Sequence, residues 1–255
     1  MSSHCSNESQ GIASMHRMDE IIRYYSKWWE NPKDIRNIVF ESLNELVRKR
    51  IPKGNGKRAL DIGSGKGRIV SYLLEKSYKV TAVEINPDFV CKLKKNFPQV
   101  KVIQEDICNV SFNERFDLIT MIEVAQNFNK EELVQLLRKV NMITRILFIN
   151  ISNKNSLHGL WIESHKFKNN FVHRLTPGQF DAILNSTGFN IYYRKGVGLV
   201  TPLSLFSGFR GRLIPIWLAK AVNRRFDKYA TRFCHLYYVE ARSLRKSLEE
   251  TQAER

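Results

Sequence analysis

Four short clusters in this 255-residue chain carry the glycines and acids from which a ligand site is built. The first is Asp61-Ile62-Gly63-Ser64-Gly65-Lys66-Gly67. Its three glycines allow a sharp reversal and let a ligand approach the backbone where a Cβ would obstruct it. The others are Glu84-Ile85-Asn86, Asp106-Ile107 and Ile122-Glu123. Each acid in them is a paired acceptor for hydroxyl or amino groups. The glycine cluster is the one that by itself points to a nucleotide-like ligand. Side chains able to take a proton from a reacting group are Glu123, His158, His165 and His173. Such a base is required only if the nucleophile carries a proton that must leave early.

These clusters need elements that bring them to one edge. Ala59, Leu60 and Ile62 form a short apolar run before the glycines, and Ile69, Val70, Tyr72, Leu73 and Leu74 follow at helical spacing. Strand, glycine turn and helix open an α/β nucleotide-binding unit, whose helix aims its N-terminal amides at the ligand. The alternation continues. Strands are predicted over 58–62, 79–84, 100–104, 116–122, 146–151, 190–194 and 234–241. Helices fall between them, one starting at Asn86-Pro87 and one at Thr176-Pro177, where a capping residue precedes a proline. Two helices precede the first strand, the second ending near Arg50.

The organisation read from this pattern is a mobile tail over 1–15, an N-terminal helical lid over 16–55, a main domain over 56–243 and a charged tail over 244–255. The main domain carries an insert over 197–232. The lid is aromatic, with Tyr24, Tyr25, Trp28 and Trp29. The insert is basic and amphipathic. From Phe209 to Arg232 it places Arg210, Arg212, Lys220, Arg224, Arg225, Lys228 and Arg232 against a lone acid, Asp227. A net charge of +16 implies attraction to something anionic, a membrane surface, a nucleic acid or an acidic substrate. The four cysteines are scattered without a CxxC pair, so no metal site or disulfide framework is expected, and they read as reduced thiols of a cytoplasmic protein. No signal peptide and no transmembrane segment is read.

The glycine spacing separates two ligand classes. A dinucleotide fingerprint reads GxGxxG, whereas here the third glycine comes one position early and Arg68 stands where that pattern wants glycine. With Asp61 two positions before the first glycine, the stretch from Leu60 to Gly67 resembles the first motif of class I S-adenosylmethionine-dependent methyltransferases. The resemblance runs to about Asn153 and is similar to the ubiquinone/menaquinone-type small-molecule group. It implies a Rossmann-like, seven-stranded, three-layer α/β/α fold with strand order 3-2-1-4-5-7-6 and strand 7 antiparallel. It also implies S-adenosylmethionine contacts by Asp61, Gly63, Ser64, Gly65, Gly67, Glu84, Ile85, Asp106, Ile107, Ile122 and Glu123. Within that set Glu84 takes the ribose hydroxyls, Asp106 the adenine amino group and the Ile107 amide the ring, while Ile122 and Glu123 lie by the methionine. A Glu-His pair common in the family after strand four is replaced by Gln126-Asn127.

The expected function is methyl transfer to a small or lipid-like acceptor. The insert 209–232 is expected to touch an anionic membrane peripherally, and nucleic acid is supported by charge alone. Alternatives are methylation of RNA or a protein side chain, a nicotinamide-dependent oxidoreductase, and a non-catalytic protein of this fold that binds membrane or nucleic acid.

Overall fold

The computed structural model describes residues 22, 36–156, 172–199 and 216–245. The predicted tail 1–15, the aromatic residues Tyr24, Tyr25, Trp28 and Trp29, the candidate bases His158 and His165, and insert residues 200–215 lie outside them.

In chain order the elements are α1 (Arg36–Arg50), β1 (Arg58–Ile62), α2 (Arg68–Glu75), β2 (Lys79–Glu84), α3 (Pro87–Asn96), β3 (Lys101–Gln104), β4 (Phe116–Met121), α4 (Lys130–Ile143), β5 (Thr144–Ser152), α5 (Pro177–Ser186), β6 (Phe189–Val197), α6 (Ile216–Phe226) and β7 (Leu236–Ser243). The seven strands form one sheet in the order β3-β2-β1-β4-β5-β7-β6. Strands β1 to β5 are parallel neighbours, and β7 runs antiparallel to both β5 and β6. Order and direction are those the family resemblance implied.

Period-two alternation divides the core. Leu60 and Ile62 of β1 face one apolar cluster with Leu133, Leu136, Leu137 and Val140 of α4 and with Phe180 and Leu184 of α5. Ala59 faces the other, with Val39, Leu43 and Val47 of α1, Ile69, Val70 and Leu73 of α2, and Leu93 of α3. Both faces of the parallel strands are thereby covered, as such strands require.

Caps set the helix starts. Asn86 Oδ1 accepts the Asp88 N–H at 2.9 Å at the start of α3, with Pro87 in the first turn. Thr176 and Gln179 form a reciprocal capping box on α5. Asn129 and Glu132 do the same on α4, a signal present in the sequence that the apolar pattern alone does not mark. Helix α1 is pinned across the sheet. Arg50 Nε and Nη2 donate to the two carboxylate oxygens of Glu240 on β7 at 2.6 and 2.7 Å, and the guanidinium lies 4.0 Å from the centre of the Tyr193 ring.

Gly67 precedes α2 in the left-handed region, at φ 88°. A Cβ there would meet the Phe97 ring, and Leu93 Cδ2 at 2.9 Å. This glycine therefore lets α2 and α3 pack. Gly67→Ala is expected to lower unfolding stability by about 1–3 kcal/mol through overpacking and strain, read from urea denaturation.

Candidate functional site

The carboxyl ends of β1, β2, β3 and β4 border one cavity of about 470 Å³. It lies where strand order reverses about β1 and β4, the place at which open α/β sheets take ligands. Its walls come from four loops: Gly63 to Lys66 after β1, Glu84 to Asn86 after β2, Glu105 to Cys108 after β3, and Ile122 to Val124 after β4. Nine of the eleven residues implied as cofactor contacts line it: Gly63, Ser64, Gly65, Glu84, Ile85, Asp106, Ile107, Ile122 and Glu123. Ile22, from the predicted lid, lines it as well.

Asp61 and Gly67 are not among the lining residues. Gly67 serves the helix contact described above. Asp61 sits behind the cavity, 1% exposed. Its register partner on β4 is Thr120, whose hydroxyl donates to Asp61 Oδ1 at 2.6 Å. Asp61 Oδ2 is buried without a hydrogen-bond partner. Burial pushes its pKa up to about 7, against the opposing pull of Thr120 and Arg68.

Glu84 is the best-defined polar group of the cradle. It is 7% exposed. One carboxylate oxygen accepts the Gly65 N–H at 2.7 Å, the other the Asn86 N–H at 2.9 Å. Desolvation raises its pKa, while these amides hold it down. The side chain thus clasps the glycine turn to the end of β2. Gly65, at φ 54°, has open space where a Cβ would stand, and that space is the cavity. Asp106 Oδ1 accepts the Cys108 N–H at 2.9 Å, so this acid both caps its own turn and lines the cavity.

Glu123 follows β4 with φ 64°, unusual for a residue with a side chain. Its N–H donates to Asn150 Oδ1 at 2.8 Å. Its carboxyl oxygens accept from Asn150 Nδ2 and from Gln126 Nε2, the latter at 3.2 Å. Asn150 is fully buried on β5. Burial pushes the Glu123 pKa up to about 7, opposed by the Asn150 hydrogen bond and by Arg68. Arg68 is a cavity residue that the glycine spacing treats only as a missing glycine. Its guanidinium is buried between the fields of Glu123 and Asp61, and burial lowers its pKa. Its place as the first residue of α2, directly after the glycine turn, was the available signal. His173 donates its backbone N–H to the Gln126 carbonyl at 2.7 Å, beside the turn after β4, and is not among the lining residues.

Residues 59–145 match the family described as a methyltransferase domain. That segment is a methyltransferase domain. It spans β1 to the start of β5 and contains all four lining loops. Across 201 residues the chain is 24% identical to the ubiquinone biosynthesis O-methyltransferase of Rickettsia canadensis, covering 71% of this chain and 85% of that one. Over 76 residues it is 37% identical to ribosomal RNA small subunit methyltransferase A of Geobacter sulfurreducens, which is 29% of this chain and 28% of the relative's length. Among solved structures, magnesium protoporphyrin IX methyltransferase from Synechocystis PCC 6803 with bound SAH superposes with a TM-score of 0.61 at 13% identity, covering 87% of this chain and 94% of that one. A SAM-dependent methyltransferase from Archaeoglobus fulgidus gives 0.55 at 18% identity, over 78% and 94%. The methyltransferase domain is of the S-adenosylmethionine-dependent type.

Among the described residues, no group of three or more His, Cys, Asp or Glu is arranged to hold a metal ion. Also among them, no helix is long and apolar enough to cross a membrane.

Proposed function

We propose that the chain transfers a methyl group from S-adenosylmethionine to a hydroxyl of a small or lipid-like acceptor of the ubiquinone-precursor type. The observation that carries this reading is the extent of the match to a ubiquinone biosynthesis O-methyltransferase, most of both chains. The match to a ribosomal RNA methyltransferase spans less than a third of either.

The cradle fits the donor. Glu84 offers two carboxylate oxygens, already held by backbone amides, at the spacing that suits a vicinal diol. Gly63, Ser64 and Gly65 line the turn with little bulk, Asp106 would accept from the exocyclic amine, and the Ile107 amide would donate to the ring. The donor's sulfonium makes its methyl group electrophilic, so the chemistry left to the protein is positioning, water exclusion and proton removal. Ile22, of the predicted lid, borders the cavity on the side left to the acceptor.

Glu123 takes the proton. A hydroxyl acceptor must lose its proton as the bond to the methyl forms, and Glu123 is a cavity-lining carboxyl pushed up to about 7 by burial. A carboxyl so placed is half ionised near neutrality, where a general base works best. Asn150 and Gln126 hold both of its oxygens in place.

A second reading, methylation of RNA, rests on the higher identity of the short match to the ribosomal RNA enzyme. One experiment separates the two. The purified chain is incubated with methyl-labelled S-adenosylmethionine and with lipid extract, small-metabolite extract or ribosomal RNA in parallel. Label should enter the lipid or metabolite fraction. Label in RNA alone would establish the second reading in its place.

A further inference from the structure

We propose that α6 and the turn after it, Asp227–Phe233, form a docking surface for an anionic lipid bilayer. The proposal rests on the lipid-like acceptor reading, which it extends by saying where the acceptor is collected.

The backbone of this element is fixed to the sheet. Asp227 turns inward, and its carboxylate accepts the Gly198 N–H at 3.0 Å and the Leu199 N–H at 3.1 Å. Asn153 Nδ2, just beyond β5, donates to the carbonyls of Arg232 at 2.8 Å and Cys234 at 2.9 Å. The turn passes so near β6 that a Cβ on Gly196 would stand 2.6 Å from Thr231 Cα. On the helix, Lys220 Nζ donates to Glu41 of α1 at 2.8 Å.

Yet the outward side chains of this anchored element are large and apolar. Trp217 is 70% exposed, Tyr229 74% and Phe233 60%, with Phe226 and Leu218 beside them. A fixed element that leaves three aromatic rings in water has the character of an interaction site. Basic residues interleave with them. Trp217, Ala221 and Arg224 recur at helical spacing along one face of α6, with Arg225 adjacent and Lys228 and Arg232 in the turn beyond it, and all of these are exposed. The sole acid from Ile216 to Phe233 is Asp227, which is buried and faces the sheet. Glu41 and Glu45 of α1 lie beside Lys220 and Arg224, and the rest of the outward face carries only positive charge.

That pairing of chemistries matches a bilayer interface. Tryptophan and tyrosine settle at headgroup depth, and lysine and arginine reach anionic headgroups. Single-stranded nucleic acid is instead held by aromatics along a groove; here they stand on the convex side of a helix and its turn. Location supports the same reading. Val197 at the end of β6 pairs with Leu236 at the start of β7, so the insert leaves and rejoins the sheet at its carboxyl edge. The cavity opens at that edge too. A bilayer bound by α6 would lie on the side from which the acceptor enters.

The test is flotation of the full chain with phosphatidylcholine vesicles, with and without phosphatidylglycerol. The chain should float with the anionic vesicles and remain behind with the neutral ones. Arg224→Glu, Arg225→Glu and Lys228→Glu combined should weaken binding roughly a hundredfold or more, at about fivefold per basic residue removed. Trp217→Ser, Tyr229→Ser and Phe233→Ser combined should reduce it about tenfold or more at equal charge. Both variants should bind S-adenosylmethionine as the parent does, which reports an intact fold. Equal flotation of either variant and the parent would overturn the proposal. So would binding of a mixed-sequence RNA oligonucleotide with no binding to vesicles. If the parent floats but binds no S-adenosylmethionine, the donor reading fails and the docking surface stands.

Discussion

Gly65→Arg is expected to abolish binding of S-adenosylmethionine and to leave the fold standing. The reason is the direction in which a side chain at this position would leave the backbone. No protein atom lies within 4 Å of a Cβ there. The new side chain would enter the cavity, not the core, and would fill the space that the ligand needs. Its cost to the fold is the left-handed backbone, about 1–2 kcal/mol. Glu84→Ala acts at the same site by the opposite route. It removes the carboxylate that accepts from Gly65 and Asn86, so both the diol contact and the clasp on the turn are lost. Charge-assisted hydrogen bonds contribute about 1.5–3 kcal/mol each, so an affinity loss of roughly a hundredfold or more is expected. Isothermal titration with S-adenosylmethionine, alongside thermal melting, checks both. Normal affinity in both variants would show that the donor binds elsewhere.

Glu123→Gln should leave donor affinity near that of the parent and lower turnover by about 10²- to 10⁴-fold, the range for loss of a positioned base. The substitution keeps the side-chain volume and removes its ability to take a proton. The parent has a second signature. Because the folded-state pKa of Glu123 is pushed up to about 7, the group is protonated below that pH and ionised above it. The value of kcat/KM, which reports the free enzyme, should therefore rise with pH through about 7 and fall about tenfold per unit on the acid side. In Glu123→Gln this limb should vanish. A residual rate with the same acid limb would assign the proton transfer to another group, His158 and His165 being the next to substitute.

The grouping of these residues around one cavity was legible because it is local. The glycine turn, Glu84 and Asp106 each follow their own strand, and parallel pairing of the strands brings them together without further information. Asp61 shows where this reasoning stops. In the sequence it belongs to the glycine motif. Only the pairing of β1 with β4 reveals that it faces Thr120, behind the cavity. The surroundings of Arg68 are hidden for the related reason that burial among charges is a tertiary property. The backbone of Glu123 gives no sequence signal either, since its left-handed conformation is enforced by Asn150 on another strand. At the strand ends, apolar runs misled slightly. Cys234 reads as the start of β7, but it ends the preceding turn with its thiol against Asp227, and the strand begins at Leu236.

The pairing of Val197 with Leu236 also bears on how such a chain diversifies. Because the two ends of the excursion are already neighbours in a ladder, about 5 Å apart, the sheet is closed whatever lies between them. Doubling the length of a flexible connection adds only about 0.6 kcal/mol of closure entropy. The cavity-lining loops follow β1 to β4 and are untouched by such changes. The acceptor side can therefore be lengthened, recharged or replaced as a cassette, with the methyl-donor chemistry held constant.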